Sequence, residues 1–140
     1  MNNIILENKK LTVYNGNYST YIKQKEEIYF DAIYTGFIAS PEQLDYIKDI
    51  IDSRLKSEGL VFVDPAMADN GKLYSIFDMD YVEAMKPLCG AADILIPNIT
   101  EACLMTGKEY KTEFDKAYVE ELLNALYELC GATAVLTGVS

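Results

Sequence analysis

The sequence predicts an α/β domain built on a parallel sheet. Three observations carry this: short strand-like apolar runs at 28–37, 60–63, 92–96 and 134–136, helical stripes between them, and breakers at the junctions. Strands joined by segments of that length are parallel neighbours, because tight hairpins join only antiparallel ones.

The first 27 residues are polar and weakly patterned, with 11–14 the single short strand candidate. IYFDAIYTGF, at 28–37, is rich in aromatic and β-branched residues and ends at Thr35-Gly36, as a strand entering a loop does. Ser40-Pro41-Glu42-Gln43 then supplies a cap residue, a proline at the first helical position and a glutamine at the third. Leu44, Ile47, Ile51 and Leu55 form one apolar stripe, and Gly59 is placed to end that helix. The run 60–63 reads as a strand buried on both faces, followed by a patternless loop over 64–74. Asp78 can cap a helix carrying Val82, Met85 and Leu88. A strand at 92–96 stops at Pro97, a short helix at 100–106 closes at Gly107, and a longer helix spans 115–130. The last strand, 134–136, runs into Thr137-Gly138.

Composition excludes several function classes. The 140 residues hold 22 acidic and 12 basic side chains, a formal charge of −10, which argues against a nucleic-acid partner. With no histidine, a serine-histidine triad, a histidine base and a histidine-ligated zinc are ruled out. Cys89, Cys103 and Cys130 lack the paired spacing of zinc or redox motifs and read as buried thiols. No window resembles a signal core or a membrane span, so a cytoplasmic protein with no membrane partner is expected. A glycine-rich lysine loop of the P-loop type is also missing.

In an open parallel sheet, ligands bind outside the carboxyl ends of the strands. The residues that follow the four strands are Thr35-Gly36-Phe37, Asp64 with Asp69, Asn98 with Glu101, and Thr137-Gly138. Each set can be read as turn or cap residues; together they bring polar loops to one edge. Asp64, Asp69, Asn98 and Glu101 form an oxygen-rich set of the kind hard cations such as Mg2+ take, often through water beside phosphates. Asn98 and Glu101 also have the spacing of a capping box, and both readings can hold at once.

DPAMADNGKLY, followed by ADILIPNITEACLMTG, resembles the pyridoxal/pyridoxamine kinases of the ribokinase-like superfamily. Members of that family show Asp-Pro-Val-(Met/Leu)-Gly-Asp, a later Gly-x-x-Tyr and then Pro-Asn-x-x-Glu. FDAIYTGF looks like the family strand whose loop covers the pyridine ring, and the resemblance spans 28–140, with 1–27 outside it. It implies a ribokinase-like fold with crossover helices on both faces, truncated at both ends. The implied activity is ATP- and Mg2+-dependent phosphorylation of the 5′-hydroxymethyl group of pyridoxal, pyridoxamine or pyridoxine, in a homodimer. By the same resemblance Asp64, Asp69, Tyr74, Asn98 and Thr137 face the nucleotide, and Asp69, Asn98 and Glu101 hold the metal and its waters. Thr35, Gly36 and Phe37 meet the vitamin ring. Ala66 and Ala68 replace the family's usual valine and glycine, and Ala68 predicts altered loop geometry because glycine often holds conformations a β-carbon disfavours. The family's Gly-Thr-Gly-Asp segment, whose aspartate is the general base, is not in the sequence, so no catalytic residue is assigned and the chain alone is expected to be inactive. The alternatives are a hydroxymethylpyrimidine kinase, which shares Asp-Pro-Val-Met and Pro-Asn-x-x-Glu, and a non-catalytic, self-associating binding module. Asp69 with Gly71-x-x-Tyr74 favours the vitamin B6 branch.

Overall fold

A computed structural model of the chain describes the backbone of residues 2–7 and 10–15, and residues 28–139 in full. β1 (Asn2–Glu7) and β2 (Lys10–Asn15) form an antiparallel hairpin in register from Asn2↔Asn15 to Glu7↔Lys10. The sequence marks only the second of these strands. The first depends on its partner for ladder hydrogen bonds more than on any pattern of its own.

The main sheet contains β3 (Phe30–Thr35), β4 (Leu55–Val63), β7 (Ile94–Leu95) and β8 (Thr133–Ala134), in that spatial order and all parallel. Between β3 and β4 runs α1 (Pro41–Arg54), which buries Leu44 and Ile51. Gln43 reaches back to accept the Ala39 amide at 3.0 Å, while Ser40 makes no side-chain cap. Gly59 does not end this helix. Leu55 is already extended, and β4 starts there, five residues earlier than expected. A β-carbon on Gly59 would meet Leu55 Cδ1 at 2.5 Å, so the glycine gives room to that side chain within the strand.

After β4 the chain forms a second small hairpin, β5 (Ala68–Asp69) with β6 (Lys72–Leu73), in place of the patternless loop. Its turn is Asn70-Gly71, with φ of 50° and 78°. Two successive positive φ values belong to the primed turn that matches strand twist, and Asn-Gly is its strongest sequence signal. α2 (Met79–Gly90) follows, capped by Asp78, whose carboxylate accepts the Tyr81 amide at 3.0 Å. α3 (Ile99–Thr106) and α4 (Lys116–Cys130) fill the crossover between β7 and β8.

Each crossover advances the chain by one strand in the same direction. Right-handed connections then put the four helices of the described residues on one face of the sheet. That face is dry: Val63 and Leu95 are 0% exposed. Residues one position along point the other way, and there Tyr34 is 63% and Leu60 46% exposed. Helices expected on both faces are therefore met on one face by the described residues.

Candidate functional site

The carboxyl ends of the strands gather most of the residues singled out by the sequence. Asp64 follows the last residue of β4, and its amide donates to the Thr35 carbonyl at 2.9 Å, tying the ends of β3 and β4 together. Its carboxylate accepts the Tyr34 hydroxyl at 3.3 Å, and the negative charge raises the Tyr34 pKa. Asn98 and Thr137 form a parallel bridge beyond β7 and β8, with the Thr137 amide on the Pro97 carbonyl at 2.9 Å.

Asn98 and Glu101 form a true capping box. Asn98 Oδ1 accepts the Glu101 amide, and a Glu101 oxygen accepts the Asn98 amide, each at 2.9 Å. The same two side chains also hold the neighbouring loop. Glu101 Oε1 accepts the amides of Met67 (3.0 Å) and Ala68 (3.4 Å), and Asn98 Nδ2 donates to the Ala68 carbonyl at 2.8 Å. Thr100 extends the clamp by accepting the Gly71 amide at 2.9 Å. The first turn of α3 thus fixes the β5–β6 hairpin by backbone groups alone. Glu101 is 2% exposed, and burial raises its carboxyl pKa; the amides of Asn98, Met67 and Ala68 pull it down, and Asp64 adds to the rise.

The Ala68 exchange causes no strain here. Among the described residues the only non-glycine with positive φ is Asn70, and Ala68 sits buried in β5 paired with Leu73. Gly71 is the position that needs a glycine, since its φ is left-handed and a β-carbon would strike the Tyr110 ring at 2.8 Å.

Asp69 lies beside this turn and satisfies both oxygens locally, on the Asn70 amide (2.8 Å) and side-chain amide (3.2 Å). Tyr74 leaves β6 with its amide on the Met67 carbonyl at 2.9 Å. Its pKa is raised by burial and by the charges of Glu101, Asp69 and Asp64. Two carboxylates of the 64–74 segment and one from the first turn of α3 therefore act on this one phenol. Among the described residues, no group of three or more acidic, cysteine or histidine side chains is arranged as a metal cluster.

Thr35, Gly36 and Phe37 border these acidic residues, since the Thr35 carbonyl accepts the Asp64 amide. Thr35 is 6% exposed, and its Oγ1 is the one buried side-chain oxygen or nitrogen without a hydrogen bond among the described residues. Phe37 is 58% exposed and leans on Phe77 at 5.7 Å between ring centroids. Phe77 in turn stacks on Tyr81 at 3.9 Å and touches Tyr74 at 6.4 Å, so an aromatic ladder links the two groups of residues. Sequence reasoning missed Phe77, Thr100 and Tyr34. Phe77 precedes the Asp78 cap, and Tyr34 precedes Thr35 on the opposite face of β3; only alternation along the strand points to the latter.

Comparison with known proteins gives one consistent result. Residues 20–140 match the family model described as phosphomethylpyrimidine kinase. A pyridoxal kinase of Arabidopsis thaliana is 32% identical over 108 residues, covering 74% of this chain and 34% of that protein. A crystal structure of pyridoxal kinase from Lactobacillus plantarum superposes with a TM-score of 0.72 at 34% identity, over 96% of this chain and 49% of that one. A Bacteroides thetaiotaomicron protein assigned as a phosphomethylpyrimidine kinase, crystallised with pyridoxal, gives 0.76 at 29% identity, over 97% and 49%. The chain spans about a third of the length of the curated relatives it matches and about half of these solved chains. Over that part the expected ribokinase-like sheet and helices are present.

Proposed function

The chain belongs to the phosphomethylpyrimidine kinase family, and on that premise we propose that it forms part of a kinase phosphorylating the 5′-hydroxymethyl group of pyridoxal, pyridoxamine or pyridoxine. ATP is the donor and Mg2+ the cation, in a cytoplasmic setting. The observation that carries this reading is the placement of Asp64, Asp69 and Glu101 at the carboxyl edge of the sheet, where the Asn98 and Glu101 side chains clamp the loop that bears both aspartates. Their oxygens are hard donors, and those of Asp69 and Glu101 already accept amides. They fit a hydrated Mg2+ better than a bare one, since each Asp69 oxygen and Glu101 Oε2 accepts one hydrogen bond and keeps a lone pair for a bound water, while Glu101 Oε1 already accepts two amides. Asp69, Asn98 and Glu101 would hold that cation, which neutralises charge on the donor phosphates when bound.

Phosphoryl transfer needs positioning and charge stabilisation more than covalent chemistry. Asp64, Asp69, Tyr74, Asn98 and Thr137 are assigned to the nucleotide side, the first three on the segment that the first turn of α3 clamps. Thr35, Gly36 and Phe37 are assigned to the vitamin, with the exposed Phe37 ring as a face for the pyridine and the free Thr35 hydroxyl as a hydrogen-bonding group. No residue of the chain is assigned as the general base. Titration calorimetry with ATP should show binding that needs Mg2+ and weakens at least about tenfold in Asp64→Asn and Asp69→Asn. No heat with ATP and Mg2+ overturns the assignment. Hydroxymethylpyrimidine competing with pyridoxal more strongly than the reverse would move the substrate to the pyrimidine branch.

A second reading, a self-associating binding module, is favoured by the exposed sheet face around Tyr34 and Leu60. Sedimentation at micromolar concentration tests it, and with it the homodimer: a monomer alone counts against both.

A further inference from the structure

The Phe37 ring is the exposed end of a stack whose other end is buried. Tyr81, in the first turn of α2, is held at two points: its amide donates to the Asp78 carboxylate at 3.0 Å, and its hydroxyl donates to the Ile38 carbonyl at 2.6 Å. Burial raises the Tyr81 pKa to about 12, so the hydroxyl stays protonated and keeps donating through the neutral range. Phe77 stands just before the Asp78 cap, where an apolar residue commonly packs back on the start of the helix and fixes the entry of the chain. Its half-buried ring lies nearly parallel to that of Tyr81, with 16° between the planes, and its amide donates to the Tyr74 carbonyl at 3.0 Å. Backbone and ring of Phe77 are thus both fixed from its own side. Phe37 leans on it with 44° between the planes, its one ring-to-ring contact among the described residues. The next residue, Ile38, is buried and carries the carbonyl that Tyr81 holds.

We propose that Phe77 is a positioning residue of the vitamin site: backed by Tyr81, which also pins the Ile38 carbonyl, it sets the orientation of the Phe37 ring that a pyridine ring meets. This rests on the assignment of Phe37 to the vitamin. An exposed side chain turns among staggered rotamers, and it loses that freedom when a flat ligand settles on it. That loss weakens binding, and a ring already oriented by a fixed neighbour avoids it. Tilted aromatic pairs are also favourable in themselves, so the contact with Phe77 selects one arrangement of Phe37 before any ligand arrives. Phe77 acts through Phe37 and not on the vitamin directly. The face offered to the vitamin by the loop after β3 is therefore prepared from a different part of the chain, the start of α2.

The sequence has no tryptophan, so Phe37→Trp places a single indole reporter at the ring position. Adding Phe77→Leu, which keeps an apolar side chain but no ring face, should lower the fluorescence anisotropy of that indole and raise its quenching by acrylamide about twofold. Phe77→Tyr should leave both unchanged. Tyr81→Phe keeps the stack but frees the Ile38 carbonyl, and should act like Phe77→Leu to a smaller extent; it carries the comparison if Phe77→Leu does not fold. In the chain with Phe37 intact, Phe77→Leu should weaken pyridoxal binding, followed by absorbance, about fivefold. In Phe37→Ala it should have no further effect, since the two residues act in series. An indole that Phe77→Leu leaves equally ordered, or a loss of pyridoxal affinity as large in Phe37→Ala as with Phe37 intact, overturns the proposal. An unsubstituted chain that binds no pyridoxal overturns the vitamin assignment, whereas the indole readout depends on no ligand and decides the positioning of the ring by itself.

Discussion

Two loops leave the same edge of the sheet and are built in opposite ways. The 64–74 loop is tied down at nearly every backbone group that faces α3: Glu101, Asn98 and Thr100 take or give hydrogen bonds at Met67, Ala68 and Gly71. The loop after β3 carries an unbonded buried hydroxyl at Thr35 and an aromatic ring at Phe37 that is more than half exposed. In the first, polar side chains serve the fold as well as any ligand. In the second, the polar and aromatic groups have little structural work, and a ligand is what would use them.

That contrast can be broken by substitution. Glu101→Ala leaves three amides without their acceptor and should cost about 3 kcal/mol in urea unfolding. A loss below about 1 kcal/mol would mean that the loop does not depend on the clamp. Asn98→Ala removes the cap and the bond to Ala68, and should cost about 1–2 kcal/mol. Thr100→Val keeps the shape and removes one acceptor, for about 1 kcal/mol. At the other loop, Phe37→Ala should change stability by less than about 0.5 kcal/mol while weakening any binding of pyridoxal followed by absorbance. A large stability loss there would make Phe37 a structural residue and erase the distinction between the loops.

A smaller effect sharpens it through pH. Burial raises the Glu101 pKa above its ordinary 4.5, so the native state keeps that proton to higher pH than the unfolded chain does. The contribution of Glu101 is complete below about pH 4.5 and is lost as pH rises through the raised value. The stability gap between the chain and Glu101→Gln should therefore be widest in acid and narrow toward neutrality. A gap that widens with pH would show that hydrogen bonds, not burial, dominate the carboxylate.

Much of this edge could be read from residue order. Asp64 and Asn98 follow apolar runs, and a run between breakers in an α/β pattern fixes which edge its last residue reaches. Capping chemistry at Asp78 and Asn98 is local, so Asp/Asn spacing found those helices within a residue or two. The missing parts depend on contacts between distant residues. Gly59 resembles a helix terminator, but pairing of β4 with β3 extends the strand back to Leu55. Asn70-Gly71 carries a hairpin signal that went unread because its two-residue strands have no alternation, and α3 supplies what they lack. Phe77 gains a role only from the rings of Phe37 and Tyr81, which lie far away in the chain.

The face of the main sheet that the described helices leave open also bears on how the chain behaves in solution. Leu60 and Tyr34 offer apolar surface that favours contact between copies, while a charge of −10 keeps those copies apart. The repulsion reaches about 10 Å at 0.1 M salt and about 3 Å at 1 M, whereas apolar attraction does not weaken with ionic strength. Colloidal stability should thus be a matter of buffer composition. The same protein would stay dispersed in dilute salt and cloud as salt rises, with no change in its fold.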